Sequence, residues 1–438
     1  MKRVLIITYY WPPSGGSGVQ RWLKMSKYLP EYGWQPVIYT PEDGEYPVED
    51  PSLEKDVSPE AEIIKRPIME PYTMYKRLFG IKKEEKVKVG FIKEEGSKAS
   101  WKENLALWIR GNLFIPDARR WWIKPSVRFL KQYLQEHPVD AIISTGPPHS
   151  MHLIAMQLKE ALAIPWIADF RDPWTEIEYY DELHLTHRSD RKHHRLESEV
   201  LTKADKVVTV TPNWARSLGR LGNRNVRVIY NGFDQDDIPS DTNENKQDGN
   251  VFSITYIGVL MEARNPEKLW QAFGELLKED ASFRNSLRIN LIGQIDQSVK
   301  KSIALNGLET HVSLSAYVPH DQVAAINRNS CVLLLTLNPD SKPLAKGLVP
   351  AKLFEYLASG RPILCIGPED GDAARILKET GAGLTVSFGD KEKMKETLKN
   401  FYQRYLENDL PNNTNTTAEH YSRKNMSEKY AMLLNHSI

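Results

Sequence analysis

Cysteine is scarce in this chain: Cys331 and Cys365 are the only two in 438 residues. Each lies inside an apolar run, "SCVLLLTL" and "RPILCIGP", and they form no CxxC pair. That excludes a disulfide scaffold and a cysteine metal site, and reads as two buried thiols in a reducing compartment. An excess of one charge is also lacking. Lys and Arg number 58 against 57 Asp and Glu, a net charge of +1. No global field draws the chain to nucleic acid, so none is expected as a partner. No apolar run approaches the roughly 20 residues of a membrane-spanning helix. The opening "MKRVLIITYYWPP" starts like a secretory leader, but its apolar part is short and no small-residue cleavage site follows. It reads as a first β-strand. Tandem repeats and a GxGxxG fingerprint are absent too.

What is present is an ordinary globular composition, 41% hydrophobic and 26% charged, long enough for two or three domains with cores of their own. Short β-branched runs alternate with helical patterns. "RVLIITYY", "QPVIYT", "DAIIST", "PWIADF", "KVVTV" and "VRVIY" read as strands in the first half. "VFSITYIG", "LRINLIG", "HVSLSAY", "CVLLLTL", "RPILCIG" and "GLTVSF" do so in the second. Continuous apolar strands are buried on both faces, which implies parallel sheets covered by helices. Between the halves, "DDIPSDTNENKQDGN" has almost nothing to bury and reads as a linker. The expected fold is α/β, with two doubly wound Rossmann-like domains facing a central cleft. The expected boundaries are 1–235, a linker at 236–250, and 251–415, with a last helix at about 416–438 returning to the first domain.

A basic, aromatic insertion at about 70–131 interrupts the first domain. Its "WKENLALWIRGNLFIPDARRWWIKP" mixes Trp101, Trp108, Phe114, Trp121 and Trp122 with Arg110, Arg119, Arg120 and Lys124. Two readings are open and compatible: aromatics packing on the sheet, or a face for the headgroups of an anionic membrane.

Five stretches sit where this fold places ligands. "YYWPPSGGSGVQRW" leads from strand to helix, and Gly15, Gly16 and Gly18 permit close approach of a ligand to backbone amides. It reads as a phosphate or sugar loop or as a plain turn. A dinucleotide site is disfavoured by the spacing, which is not GxGxxG. "ISTGPPHSMHLIA" carries His149 near the cleft, Ser150 as a helix cap, and His152 as packing. "PWIADFRDPW" ends a buried strand in Asp169, Arg171 and Asp172, which must be paired or face a cleft. "YIGVLMEARNPEKLW" places Arg264 after a strand and glycine turn, where a guanidinium can meet diphosphate oxygens. "GLVPAKLFEYLASGRPIL" starts a helix bearing Lys352 and Glu355 and stops it at Gly360, with Pro362 beyond. The His-rich run "HLTHRSDRKHHRLE" reads as a solvated helix face and not a metal site.

In order and spacing, "STGPPHSMHLIA", "IPWIADFRDPW", "KADKVVTVTPNW", "VIYNGFD", "YIGVLMEARNPE" and "GLVPAKLFEYLASGRPIL" resemble glycosyltransferase family 4, of GT-B fold, in particular bacterial members that build surface polysaccharides or lipid-linked glycans. The resemblance spans nearly the whole chain. It implies a retaining glycosyltransferase that needs no metal or other cofactor. The donor is a nucleotide-sugar held by the C-terminal domain, and the acceptor a glycan or polyprenyl-linked glycan on the N-terminal side. The place is cytoplasmic, peripheral at the inner face of the plasma membrane, in lipopolysaccharide or capsule synthesis. By position, Glu355 resembles the second glutamate of the family's E-x7-E motif, which holds the ribose. Arg264 and Lys352 fall on the diphosphate, Gly16 near the donor phosphates, and Gly15, Ser17 and Arg21 toward the acceptor. Arg171, Asp172 and His149 fall at the catalytic centre. The chain departs from the family at Gly347, where the first glutamate would stand, and at Val259, where a second basic residue is usual. Lys352 or Lys346 is the candidate to replace that charge. Other classes remain: a nucleotide-sugar 2-epimerase of the same fold, or a non-catalytic sugar-nucleotide-binding partner.

Overall fold

The computed structural model describes residues 1–70, 101–237, 251–342, 344–410 and 416–436. The chain divides into two compact units, residues 1–231 with 423–438, and residues 232–422. Most of the linker stretch and the first part of the insertion lie outside the described residues.

In the first unit the apolar runs become β1 Lys2–Ile7, β2 Trp34–Pro41, β4 Ala141–Gly146, β5 Trp166–Phe170, β6 Lys206–Thr209 and β7 Arg227–Val228. A further strand, β3 Glu62–Arg66, was not read from the sequence. Its "EIIKR" is mostly exposed because it pairs on one side only, at the sheet edge. The order is β3-β2-β1-β4-β5-β6-β7 and every pairing is parallel. Helices α1 Ser17–Tyr28, α2 Trp101–Leu113, α3 Arg120–Glu136, α4 Ser150–Leu162, α5 His187–Lys203 and α6 Pro212–Gly222 belong to this unit. So does the chain's last helix, Arg423–Asn435, whose Tyr430 ring packs 4.9 Å from Trp22 on α1. Strand interiors such as Val4, Ile6, Ile142 and Ile167 are wholly buried, as two-sided coverage requires.

The second unit contains β8 Phe252–Leu260, β9 Leu287–Ile295, β10 Val312–Ser315, β11 Val332–Thr336, β12 Ile363–Ile366 and β13 Gly383–Val386, in the order β10-β9-β8-β11-β12-β13, again all parallel. These are the six strands read from the sequence. Its helices include α7 Glu267–Glu279 and α8 Ala351–Ser359. Cys331 and Cys365 are free and buried, and burial pushes the Cys365 thiol up to about 12. Each sheet reverses its strand order once, between β1 and β4 and between β8 and β11, and such reversal points open a crevice at the carboxyl ends of the strands.

Candidate active site

In the second unit the crevice is visible in the hydrogen bonding. β8 pairs with β9 along its whole length, but with β11 only at Ile254 and Thr255. Past Thr255 the freed backbone groups find side chains: the Ile257 N–H donates to the Tyr356 hydroxyl (3.2 Å), and the Val259 carbonyl accepts from the Tyr256 hydroxyl (2.8 Å). Gly258, at φ +132°, leaves room for Lys352; a Cβ there would stand 2.6 Å from Lys352 Nζ. That ammonium donates to Tyr256 Oη at 3.1 Å and lies 4.4 Å from the ring centroid. Arg264 follows β8 and donates through Nε to Asn338 Oδ1 at 2.7 Å, tying the loop after β8 to the loop after β11.

Helix α8 begins beyond Pro350 with no side-chain cap, so no side chain at its start satisfies its first amides. Glu355 sits three residues after Lys352, hence on a neighbouring part of the helix surface. It is half-buried, and its carboxylate has no hydrogen-bond partner among the described residues. Gly360 ends the helix in the left-handed conformation (φ +73°). Gly347 lies buried in a short turn before it. Lys346 faces outward in an exposed ion pair with Asp370 (2.5 Å). The two lysines therefore differ: one is held under the strand end, the other is committed to a surface carboxylate. Two cations and a helix N-terminus suit a diphosphate, and a carboxylate one turn further suits vicinal hydroxyls.

In the first unit, β1, β4 and β5 are neighbours, so the loops leaving them meet. Gly15 donates its N–H to Val48 (2.8 Å), and a Cβ on it would come within 3.1 Å of Asp50 and Val48 side chains. Gly16 is exposed, at φ +81°, and Ser17 opens α1. Arg171 joins all three loops. Its guanidinium donates to the carbonyls of Gly18 (2.5 Å) and Pro147 and lies 5.5 Å from the Tyr10 ring. Burial lowers its pKa, against the pull of Asp172. Burial likewise raises the half-buried Asp172 carboxyl, with Arg171 opposing.

His149 is 8% exposed and stacks face to face on Trp174 (4.5 Å, 1°), and its Nδ1 has no partner. Burial, then His152, His193 and Arg171, hold it well below the usual histidine range. His152 is wholly buried, as the packing reading expects. Its Nδ1 shares a hydrogen bond with Ser144 Oγ at 2.8 Å, and burial takes its pKa down to about 3.

Three expectations need correction. Arg21 is 2% exposed. It forms a two-pronged ion pair with Asp169 (3.1 and 2.9 Å) and also donates to the Ile229 and Tyr230 carbonyls and to Tyr430 Oη. With its donors engaged inside the unit it is part of the core and leaves the acceptor set. Asp169 also accepts from Trp22, Thr145 and Tyr430, and against the upward push of burial these bonds and Arg21 hold its pKa low. Ser150 does not cap α4. The cap comes from Asp117, which accepts from the Ser150 N–H and hydroxyl, both at 2.8 Å.

The histidine run is not uniformly solvated: His184, His187 and His194 are exposed, but His193 is 3% exposed beneath Trp174. The insertion, finally, divides. Trp122 is buried and stacks on Tyr39 (4.9 Å), and Arg119 pairs with Glu70 (2.9 Å). Trp108, Leu113 and Trp121 stay 38%, 52% and 40% exposed, beside Arg110 and Lys124, also exposed. Trp174, His193 and Glu197 were missed as site neighbours. The signal was present: Ser189, His193, Glu197 and Val200 follow helical spacing and form the buried stripe of α5.

Comparison with known proteins agrees with this geometry. Residues 103–232 match the family described as "Glycosyl transferase 4-like domain", and residues 237–420 match "Glycosyl transferases group 1". No curated protein sequence matches. Among solved structures, sucrose-phosphate synthase from Thermosynechococcus elongatus superposes with a TM-score of 0.63 at 13% identity, covering 100% of this chain and 99% of the other. WaaG, a glycosyltransferase involved in lipopolysaccharide biosynthesis, gives 0.56 at 14%, covering 98% and 99%. A putative UDP-N-acetylglucosamine 2-epimerase from Listeria monocytogenes gives 0.55 at 10%, covering 98% and 94%. Two parallel sheets of seven and six strands with flanking helices are the GT-B fold. The chain belongs to the group 1 glycosyltransferases and is an enzyme of glycosyl transfer.

Proposed function

We propose that this enzyme moves a sugar, with retention of configuration and without a metal, from a nucleotide-sugar to a glycan or lipid-linked glycan of the cell surface. The observation that carries the donor assignment is the opening of β8 from β11, with Lys352 held under Gly258 and Arg264 on Asn338. Arg264, Lys352 and the first amides of α8 meet the diphosphate and stabilise the charge that grows on the leaving group, and this electrostatic contribution is the main catalytic one. Glu355 receives the ribose hydroxyls. On the other unit, Gly16, Arg171, Asp172 and His149 receive the acceptor or transferred sugar. The departing phosphate takes the proton of the attacking hydroxyl on the same face, so no side chain becomes a covalent nucleophile.

Trp108, Leu113 and Trp121 beside Arg110 and Lys124 support docking on an anionic membrane, as expected for a lipid-linked acceptor at the inner face of the plasma membrane. Flotation with phosphatidylglycerol vesicles, and not with phosphatidylcholine vesicles, is the expected result.

The test of the donor reading is a thermal-shift panel of UDP-, GDP- and ADP-sugars, since a ligand bound only by the folded chain raises Tm by mass action. One base class is expected to stabilise the protein, and no shift with any of them would refute the reading. Donor turnover without any acceptor would instead favour a 2-epimerase. Binding that never leads to transfer would favour a non-catalytic role, the reading that Gly347 keeps in view.

A further inference from the structure

Among the described residues no side-chain hydrogen bond fixes the His149 ring: Nδ1 is without a partner, and the imidazole is oriented by its stack on Trp174. What fixes Trp174 is therefore of consequence to the site. Its indole Nε1–H donates to His193 Nδ1 at 3.0 Å. An indole N–H can only donate, so His193 Nδ1 must be deprotonated and the proton sits on Nε2. From there it faces the Gly111 carbonyl at 3.3 Å. The tautomer is thus set by its two neighbours, and burial, which lowers the His193 pKa, agrees with a neutral ring.

One turn further along α5, Glu197 takes hold of the same loop by its backbone. It accepts from the N–H of Trp174 (3.2 Å) and from the N–H and hydroxyl of Thr175 (3.3 and 2.5 Å). Residues four apart project from one face of a helix. A histidine and a glutamate on the buried stripe, where apolar side chains are the rule, are costly unless every polar atom is bonded; here Nε2 of His193 meets Gly111 and the other polar atoms meet Trp174 and Thr175.

We infer that His193 and Glu197 are positioning residues for the transfer site. The pair clamps the loop that carries Arg171 and Asp172 and, through the Trp174 ring, sets the plane of the His149 imidazole. The inference rests on the reading above that places those residues at the acceptor side. A protonated His193 would turn a second N–H toward the indole N–H and release the ring, so the clamp holds only with His193 neutral.

The test uses the full chain with histidines labelled for NMR, the His149 resonance being assigned by its loss in His149→Gln. His193→Phe keeps the ring volume and removes the acceptor, whereas His193→Gln keeps an acceptor oxygen. The His149 ring resonance is expected to shift in His193→Phe and to return toward its original position in His193→Gln. With the nucleotide-sugar that supports turnover, His193→Phe should lower kcat with acceptor by about 10- to 100-fold, the scale of an ångström-sized misplacement, with donor KM unchanged. If His193→Phe does not fold, Trp174→Phe removes the same bond from its other side and should give the same kcat loss at an unchanged donor KM. An unmoved His149 resonance in His193→Phe, or no rescue by His193→Gln, overturns the clamp. Absence of transfer by the unaltered chain with every nucleotide-sugar would overturn the transfer reading instead, and the His149 resonance would still decide the clamp.

Discussion

Lys352 and Lys346 stand on either side of the start of α8, and replacing each by alanine separates a built anion site from a surface charge. Lys352 is held by the Tyr256 hydroxyl at 3.1 Å and by the ring face at 4.4 Å, under a glycine whose missing side chain makes the room. Its ammonium is ordered before any ligand arrives, so little conformational entropy is lost on binding. A hydrogen bond to a charged group contributes about 1.5–3 kcal/mol, which is roughly 10- to 150-fold in Kd. Lys346 has a half-exposed side chain and is already paired with the exposed Asp370 at 2.5 Å. Such surface pairs contribute about 0–1 kcal/mol, so its loss changes Kd by less than roughly fivefold. Truncating Lys352 leaves the Tyr256 hydroxyl its bond to the Val259 carbonyl, so the fold is not the variable. The assay is titration calorimetry with UDP, GDP and ADP on the parent and both variants. Equal losses in the two variants, or parent-like binding by Lys352→Ala, would refute the reasoning.

Further outcomes follow from the same geometry. Gly258→Ala forces an alanine to φ +132° and sets a methyl 2.6 Å from Lys352 Nζ; a strain of about 1–3 kcal/mol and weaker nucleotide binding are expected, read by Tm and calorimetry, and parent-like values for both would contradict the packing. Arg21→Met leaves Asp169 buried without its counter-ion, so urea unfolding should show a loss of about 3–5 kcal/mol; a loss below about 1 would show that the pair carries little. His152 is neutral in the fold with its pKa near 3, below the roughly 6.5 of an unfolded chain, so the unfolded chain binds more protons in acid. Stability is therefore full above about pH 6.5 and falls below it by at most about 1.4 kcal/mol per pH unit from this group. Tm measured from pH 7 to pH 5 should drop less steeply in His152→Gln, and an unchanged slope would remove His152 from that account.

The parallel sheets were legible because strands covered on both faces are apolar along most of their length, and "VLII", "AII" and "VLLL" are such runs. β3 was not, since an edge strand needs only one neighbour and tolerates "EIIKR". Local motifs placed Arg264, Lys352 and Glu355 after a strand or on the helix that follows a turn, where the structure has them. The residues misread are those whose partners are far away in sequence. Arg21 reads as an acceptor-side cation until Asp169 is brought against it, and His193 reads as solvated until Trp174 arrives over it. Asp117 caps α4 from 33 residues upstream, which no local pattern at Ser150 could announce.

The central claim is that α8 and the end of β8 hold a nucleoside diphosphate, with Glu355 on the ribose. It is tested most directly by titrating the parent and Glu355→Ala with UDP, GDP and ADP, and with inorganic pyrophosphate alone. The account predicts that the variant loses roughly 10- to 150-fold in affinity for the nucleotide the parent prefers while pyrophosphate binds as before. Undiminished nucleotide binding by Glu355→Ala would contradict it.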